Sequence, residues 1–270
     1  MMMSKRAALV VDVAVLAFAL AVFAAFIHPA PYPGESTAWL LTLGGTDPFP
    51  PLTRPLYSMI GLLLARIPLG SLSLRLTLLN IVCSAACAVL LGRVVRSLRP
   101  IEPGDPDSRA IRLGSGLGAS VALIFSFPFA WAATRVSPEP VGLLLILAAL
   151  DLLTQSECRP SPGRLYWALA VFGLAIPEHP MALWMAPLVL LIALLLAARH
   201  YGEVADGAVF PHRIHRRPFT RSAVLMMLAL LTFAIPLASL CRLACATARG
   251  AVARPRDLSL GITCVGGGGV

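Results

Sequence analysis

Charged residues are scarce in this chain, and that scarcity excludes a soluble protein. They make up 13% of the 270 residues, while 58% are hydrophobic. Soluble domains carry about 25% charged residues, so this sequence cannot cover a water-exposed surface with polar groups. The composition therefore indicates a polytopic membrane protein.

The chain also lacks a disulfide framework and a nucleic-acid-binding motif. Its six cysteines lie inside apolar runs, in one loop or in the tail, and no pairing pattern emerges. The net charge of +9 could suggest nucleic acid. However, the arginines cluster in short segments between apolar runs, which is typical of orientation signals. Nucleic acid is not an expected partner.

Apolar runs of about 20 residues predict an all-α bundle with about seven transmembrane helices. They lie near 7–27, 72–94, 114–134, 138–154, 165–177, 181–198 and 223–241. Arginine-rich loops then fall on the cytoplasmic side with the N-terminus, as expected of a multi-pass protein of the cell (inner) membrane. Residues 1–241 would form one transmembrane domain, and residues 242–270 a poorly ordered tail.

The first outer loop, residues 28–71, is predicted to contain two short helices. In "STAWLLTLGG", Ser36 is a candidate N-cap and Gly44–Gly45 a helix stop. Residues 55–66 begin with Pro55 and predict a second, interfacial helix.

Glu35, in "PGESTAWLL", stands at the start of the first of these helices. The backbone N–H groups there favour an ionised carboxylate and also offer a site for phosphate. A carboxylate beside a phosphate suits transfer from a lipid-linked phosphate donor, with the carboxylate as general base towards a hydroxyl. The alternative is a solvated or helix-capping acid.

Several segments resemble the protein-O-mannosyltransferase-like membrane proteins, a family of the GT-C glycosyltransferase superfamily. They are "PGES", "LGG", "PPLTRPLY", "PLGSLSLRLTLLN" and "GLAIPEHPMALWMAPLVLLI", in family order over about residues 30–200. Glu35 falls on the acid of the family's G-D-S block, and Glu139 lies close to a second family acid. Two motif positions differ, because Ala38 and Pro50 replace an acid and a histidine. The other matched positions are Gly34, Ser36, Pro51, Pro55, Leu56, Tyr57, Pro68, Gly70, Arg75, Leu78, Leu79, Gly173, Leu174, His179 and Pro187.

The resemblance implies a GT-C fold and a glycosyltransferase that uses a polyprenyl-phosphate-linked sugar. The acceptor would be a hydroxyl of a protein or glycan on the non-cytoplasmic side, and the absence of a nucleotide-binding motif agrees with a lipid-linked donor. Glu35 would be the catalytic base. Some members of the superfamily use a divalent metal, and nothing in this sequence specifies one. Donor phosphate would contact Ser36, Arg75 and Arg54, and the acceptor or cavity would involve Tyr57, Arg135, Glu139 and His179.

Other interpretations stay open for these residues. Arg75 could be a snorkelling residue at the start of the second span, Arg135 and Glu139 an exposed ion pair, and His179 an ordinary turn residue. Asp12 and Asp151 are interpreted as structural, Asp12 reaching water at the cytoplasmic end.

Two other functions also stay open for the whole chain. The departures at Ala38 and Pro50 favour a non-catalytic subunit or lipid-binding protein of the same fold. A transporter is disfavoured, because the sequence has no paired halves with matching broken helices.

Overall fold

The computed structural model describes residues 5–27, 35–44, 54–68, 70–98, 106–158 and 162–207, and the regular elements in these ranges are helices, as predicted. The predicted span at 223–241 and the tail lie outside the described residues. The helices are α1 (Lys5–Ala25), α2 (Glu35–Leu43), α3 (Pro55–Ala65), α4 (Leu72–Leu98), α5 (Pro106–Ile124), α6 (Phe127–Ala133), α7 (Glu139–Cys158), α8 (Pro162–Glu178) and α9 (Pro180–Gly207).

Four of these helices, α1, α4, α7 and α9, are long and apolar enough to cross a membrane, as an integral membrane protein requires. If the α5–α6 pair is counted as one span, the total is five. The two helices of this pair are bent by 66° relative to each other. The helix predicted near 114–134 is therefore divided into two helices that meet at a sharp bend. Pro128 stands in the first turn of α6 behind the extended Ser126, and a proline lacks the N–H that would continue the preceding helix.

The helices α4 and α7 form the centre of the bundle, with α1 and α5 packed on α4 and α8 packed on α7. The α4–α5 crossing depends on glycine: a Cβ at Gly92 would lie 2.5 Å from the Ser120 Oγ and 3.1 Å from the Gly116 carbonyl oxygen. Small residues allow helix backbones to approach closely, which drives association in lipid.

The two ends of the bundle are defined by polar contacts between distant segments. At the end we call upper, Asn80 Nδ2 donates to the Arg135 carbonyl oxygen at 2.6 Å. At the lower end, Arg93 Nε lies 2.7 Å from Asp12 Oδ2, and Arg96 Nη2 binds the other oxygen of Asp12. Helices α2 and α3, from the first outer loop, meet the 135–138 turn and the end of α8 at the upper end, through the contacts of Ser36 with Val136 and of Leu56 with Glu178.

Asp12 is thus paired, not directed into water. Its side chain is 11% exposed, that of Arg96 9% and that of Arg93 41%. A buried ion pair contributes little net stability, but removing one partner leaves an uncompensated buried charge. The structural interpretation of Asp12 therefore has a defined physical basis.

We expect Asp12→Asn to lower the free energy of unfolding by about 3–5 kcal/mol, because Arg96 then keeps a buried charge without its counter-ion. Thermal unfolding of the purified protein in detergent measures this. Arg93→Gln is the matched control and should destabilise less, since Arg93 is the more exposed partner. Equal melting of Asp12→Asn and wild type would contradict the expectation.

Candidate functional site

Three of the residues selected from the sequence form a charged cluster at the upper end. Arg54 precedes α3, Glu139 begins α7, and His179 lies between α8 and α9. Arg54 Nη2 is 2.5 Å from Glu139 Oε1, and His179 Nε2 is 2.6 Å from Glu139 Oε2. One carboxylate therefore binds both basic side chains, and we call these three residues the Arg54–Glu139–His179 cluster.

The start of α7 is built to hold Glu139 and His179 together. Glu139 occupies the first turn of α7, where the helix dipole favours a carboxylate. One turn on, a Cβ at Gly142 would lie 2.8 Å from the His179 Cβ. His179 Nδ1 accepts the Met181 N–H at 3.2 Å, which assigns the ring proton to Nε2, facing Glu139. Glycine at 142 is what allows the imidazole this close.

Glu178 is a site residue that sequence reasoning missed. It is fully buried, and its carboxylate accepts hydrogen bonds from the first backbone N–H groups of α3, those of Leu56 and Tyr57. Burial raises the pKa of Glu178, while these two hydrogen bonds and nearby Arg54 act in the opposite direction. A signal did exist: an acid at the C-terminus of an apolar helix is disfavoured by its own helix dipole, which indicates a partner elsewhere.

Arg54 has an unusual backbone conformation. Its φ of 101° places it in the left-handed region, which for a residue other than glycine costs on the order of 1–3 kcal/mol. Its carbonyl oxygen accepts from the N–H and the Oγ of Ser58, at 3.1 and 2.9 Å. Arg54 Nη1 is buried and has no hydrogen-bond partner among the described residues. Among the residues that the structure describes, this N–H donor therefore has no acceptor.

Ser36 and Tyr57 make contacts that the sequence did not predict. Ser36 is not the N-cap, because α2 begins one residue earlier, at Glu35. Its Oγ donates to the Val136 carbonyl oxygen at 2.8 Å instead. Tyr57 is fully buried, with its ring edge-on to Trp39 at 5.3 Å. Glu35 stands in the first turn of α2, and its side chain lies outside the described residues.

Arg75 and Arg135 are held by other groups than the cluster. The guanidinium of Arg75 donates to backbone carbonyls at the end of α3 and in the turn that follows it, those of Leu64, Ile67, Gly70 and Ser71. The guanidinium of Arg135 lies over the ring of Trp131, a cation–π contact. No group of three or more His, Cys, Asp or Glu side chains in the described ranges is arranged to hold a metal ion.

We expect Gly142→Ala to lower the free energy of unfolding by about 1–3 kcal/mol, because the added methyl displaces His179 from Glu139. Gly118→Ala is the matched control, since apart from the adjoining backbone of its own helix no atom lies within 4 Å of the position that its Cβ would take. There alanine should stabilise slightly through its helix propensity. Thermal unfolding measures both, and equal behaviour of the two variants would contradict the steric argument.

Glu178 should give the protein a pH-dependent stability. Because its pKa is raised above the ordinary value of 4.5, the folded state holds this proton more tightly than the unfolded state. The stabilisation is complete below 4.5 and is lost as the pH rises through the folded-state pKa. Melting temperatures measured from pH 4.5 upward should fall less steeply for Glu178→Gln than for wild type. Identical slopes would contradict this.

A comparison with known families identifies the chain. Residues 49–202, more than half of the chain, match the family described as Protein O-mannosyl-transferase TMEM260 N-terminal domain. The matched segment contains Arg54, Glu139, Glu178 and His179 and begins after Glu35. No curated protein and no solved structure matches the chain. The resemblance seen in the sequence is confirmed, and the chain belongs to this family of O-mannosyltransferase-like membrane proteins.

Proposed function

We propose that this protein transfers a sugar, mannose by the family's name, from a polyprenyl phosphate to a hydroxyl of an acceptor protein. Transfer would take place on the membrane side opposite the cytoplasm. The observation that carries the proposal is the Arg54–Glu139–His179 cluster. It draws its members from three segments that the sequence assigns to the same outer side.

The chemistry requires a base for the acceptor and a cation for the leaving phosphate. The acceptor oxygen attacks the sugar C1 and gives its proton to the base, and the bond between C1 and the phosphate oxygen breaks. Glu35 is the proposed base. Its position suits the role, because the Ser36–Val136 hydrogen bond of 2.8 Å joins the first turn of α2 to the turn that leads into Glu139.

Arg54 is the proposed ligand of the donor phosphate. Its Nη2 is held by Glu139, while its Nη1 has no protein partner among the described residues. A guanidinium with one anchored and one spare nitrogen suits a phosphate oxygen that gains charge as the sugar leaves. Arg75 already donates to four backbone carbonyls. Arg54 is therefore the proposed phosphate ligand, and Arg75 stabilises the α3–α4 turn.

Glu139 and His179 are proposed to orient Arg54 and to border the acceptor site. The carboxylate of Glu139 accepts from both basic side chains, so it fixes the direction of the guanidinium. Both ring nitrogens of His179 are engaged, with Nε2 donating to Glu139 and Nδ1 accepting the Met181 N–H, so its imidazole is held in one orientation. Such fixed orientation keeps the charged groups preorganised, which lowers the cost of stabilising the transition state.

We expect Glu35→Gln to lower kcat by about 10²–10⁴-fold, the usual contribution of a general base. The assay uses purified protein, mannosyl polyprenyl phosphate and a serine-containing peptide. Glu35→Asp should retain part of the activity, since it keeps a carboxylate. Glu157→Gln, at an exposed acid of α7, is the control and should match wild type.

Unchanged turnover in Glu35→Gln would remove Glu35 from the mechanism. If wild type itself transfers no sugar from a polyprenyl-phosphate donor, the proposal fails. The non-catalytic subunit of the same family is then favoured.

A further inference from the structure

Glu178 occupies a position that the reaction outlined above does not use. It is a fully buried acid whose carboxylate accepts hydrogen bonds from two backbone N–H groups. Charged groups are almost never fully buried unless they are paired. The first-turn N–H groups of a helix supply that pairing, because they carry partial positive charge and lack intrahelical acceptors.

The residues on either side of this contact are those of the proposed phosphate site. Leu56 and Tyr57, which donate to Glu178, follow Arg54 by two and three residues. His179, the next residue after Glu178, binds Glu139, and Glu139 binds Arg54. The contacts therefore form a closed ring that runs from Glu178 through the start of α3 to Arg54, then through Glu139 to His179 and back along the chain.

Arg54 needs such support because its backbone is in a costly conformation. A left-handed φ of 101° at a non-glycine residue persists only where the surroundings over-determine it. Glu178 supplies one restraint by fixing the first turn of α3 immediately after Arg54. Glu139 supplies another at the far end of the side chain. Without the first restraint, the guanidinium would still have its partner, but its backbone could relax and move Nη1.

We propose that Glu178 is a positioning residue of this enzyme: by binding the first N–H groups of α3, it sets Arg54 where a donor phosphate is bound. This rests on the proposed function, since it assigns Arg54 to the donor. Glu178 itself does not touch substrate. Its effect should therefore appear in donor binding and should depend on the presence of Arg54.

The test is a double-mutant cycle with Glu178→Gln and Arg54→Gln in the full chain, assayed with mannosyl polyprenyl phosphate. Glutamine has one acceptor oxygen, so one of the two hydrogen bonds is lost. We expect Glu178→Gln to raise the donor KM about tenfold, the size of one charge-assisted hydrogen bond. The acceptor KM should not change, and in the Arg54→Gln background the same substitution should change the donor KM by less than about twofold.

Equal effects of Glu178→Gln in both backgrounds, or an effect on kcat or acceptor KM alone, would overturn the proposal. Glu157→Gln is again the matched control. If Glu178→Gln does not yield folded protein, Glu178→Asp takes its place in the cycle. It keeps the charge and shortens the reach by one methylene, and independent effects of Glu178→Asp and Arg54→Gln on the donor KM overturn the proposal equally.

Failure of the proposed function gives a different result. If wild type transfers no sugar, the same four proteins are compared by thermal unfolding. Non-additive losses in melting temperature would support the positioning of Arg54 by Glu178 even though the activity assignment fails. Additive losses would overturn the positioning role. If wild type does transfer the sugar but the KM effects are additive, the role of Glu178 is overturned and the proposed function stands.

Discussion

The carboxylate of Glu139 is the interaction on which the upper end of the bundle depends. The side chain of Glu139 is 38% exposed, yet both of its oxygens are occupied, one by Arg54 and the other by His179. Each partner comes from a different connection between helices. The carboxylate of Glu139 therefore links three places in the fold: Arg54 just before α3, the start of α7, and the α8–α9 turn.

Glu178 forms a second set of contacts at the upper end, separate from those within the Arg54–Glu139–His179 cluster. It binds backbone N–H groups, whereas Glu139 binds side chains, so the two acids restrain different parts of the same arginine segment. The lower end shows the contrast. There Asp12 binds both Arg93 and Arg96, and these ion pairs link α1 to α4. At the upper end, Arg54 keeps a buried Nη1 without a partner in the described part of the chain.

The helices of the first outer loop illustrate how far local pattern reaches. The second was predicted at 55–66 and is observed at Pro55–Ala65, and the first ends at Leu43, before the predicted glycine stop. Proline at a first helical position and glycine after a last one act through their own backbone preferences, so the sequence alone reveals them. Ser36 is not the predicted N-cap, and the reason is non-local; the predicted 114–134 helix is bent in the middle, and the reason is local. The Ser36 hydroxyl donates to the Val136 carbonyl oxygen, 100 residues away. Pro128, in contrast, interrupts the helix within its own turn.

Apolar composition and helix punctuation by themselves determined that this is a helical membrane protein, and the order of short motifs determined its family. These features are local, because backbone hydrogen bonds in a helix join residues four apart and hydropathy is summed over neighbours. Only the tertiary structure decided that Arg54 meets Glu139, 85 residues away, and that the α3 N–H groups meet Glu178, more than 120 residues away. Such pairings follow from which helix ends lie side by side. The sequence suggested Arg135 as the partner of Glu139, whereas the structure places Arg54 against this carboxylate.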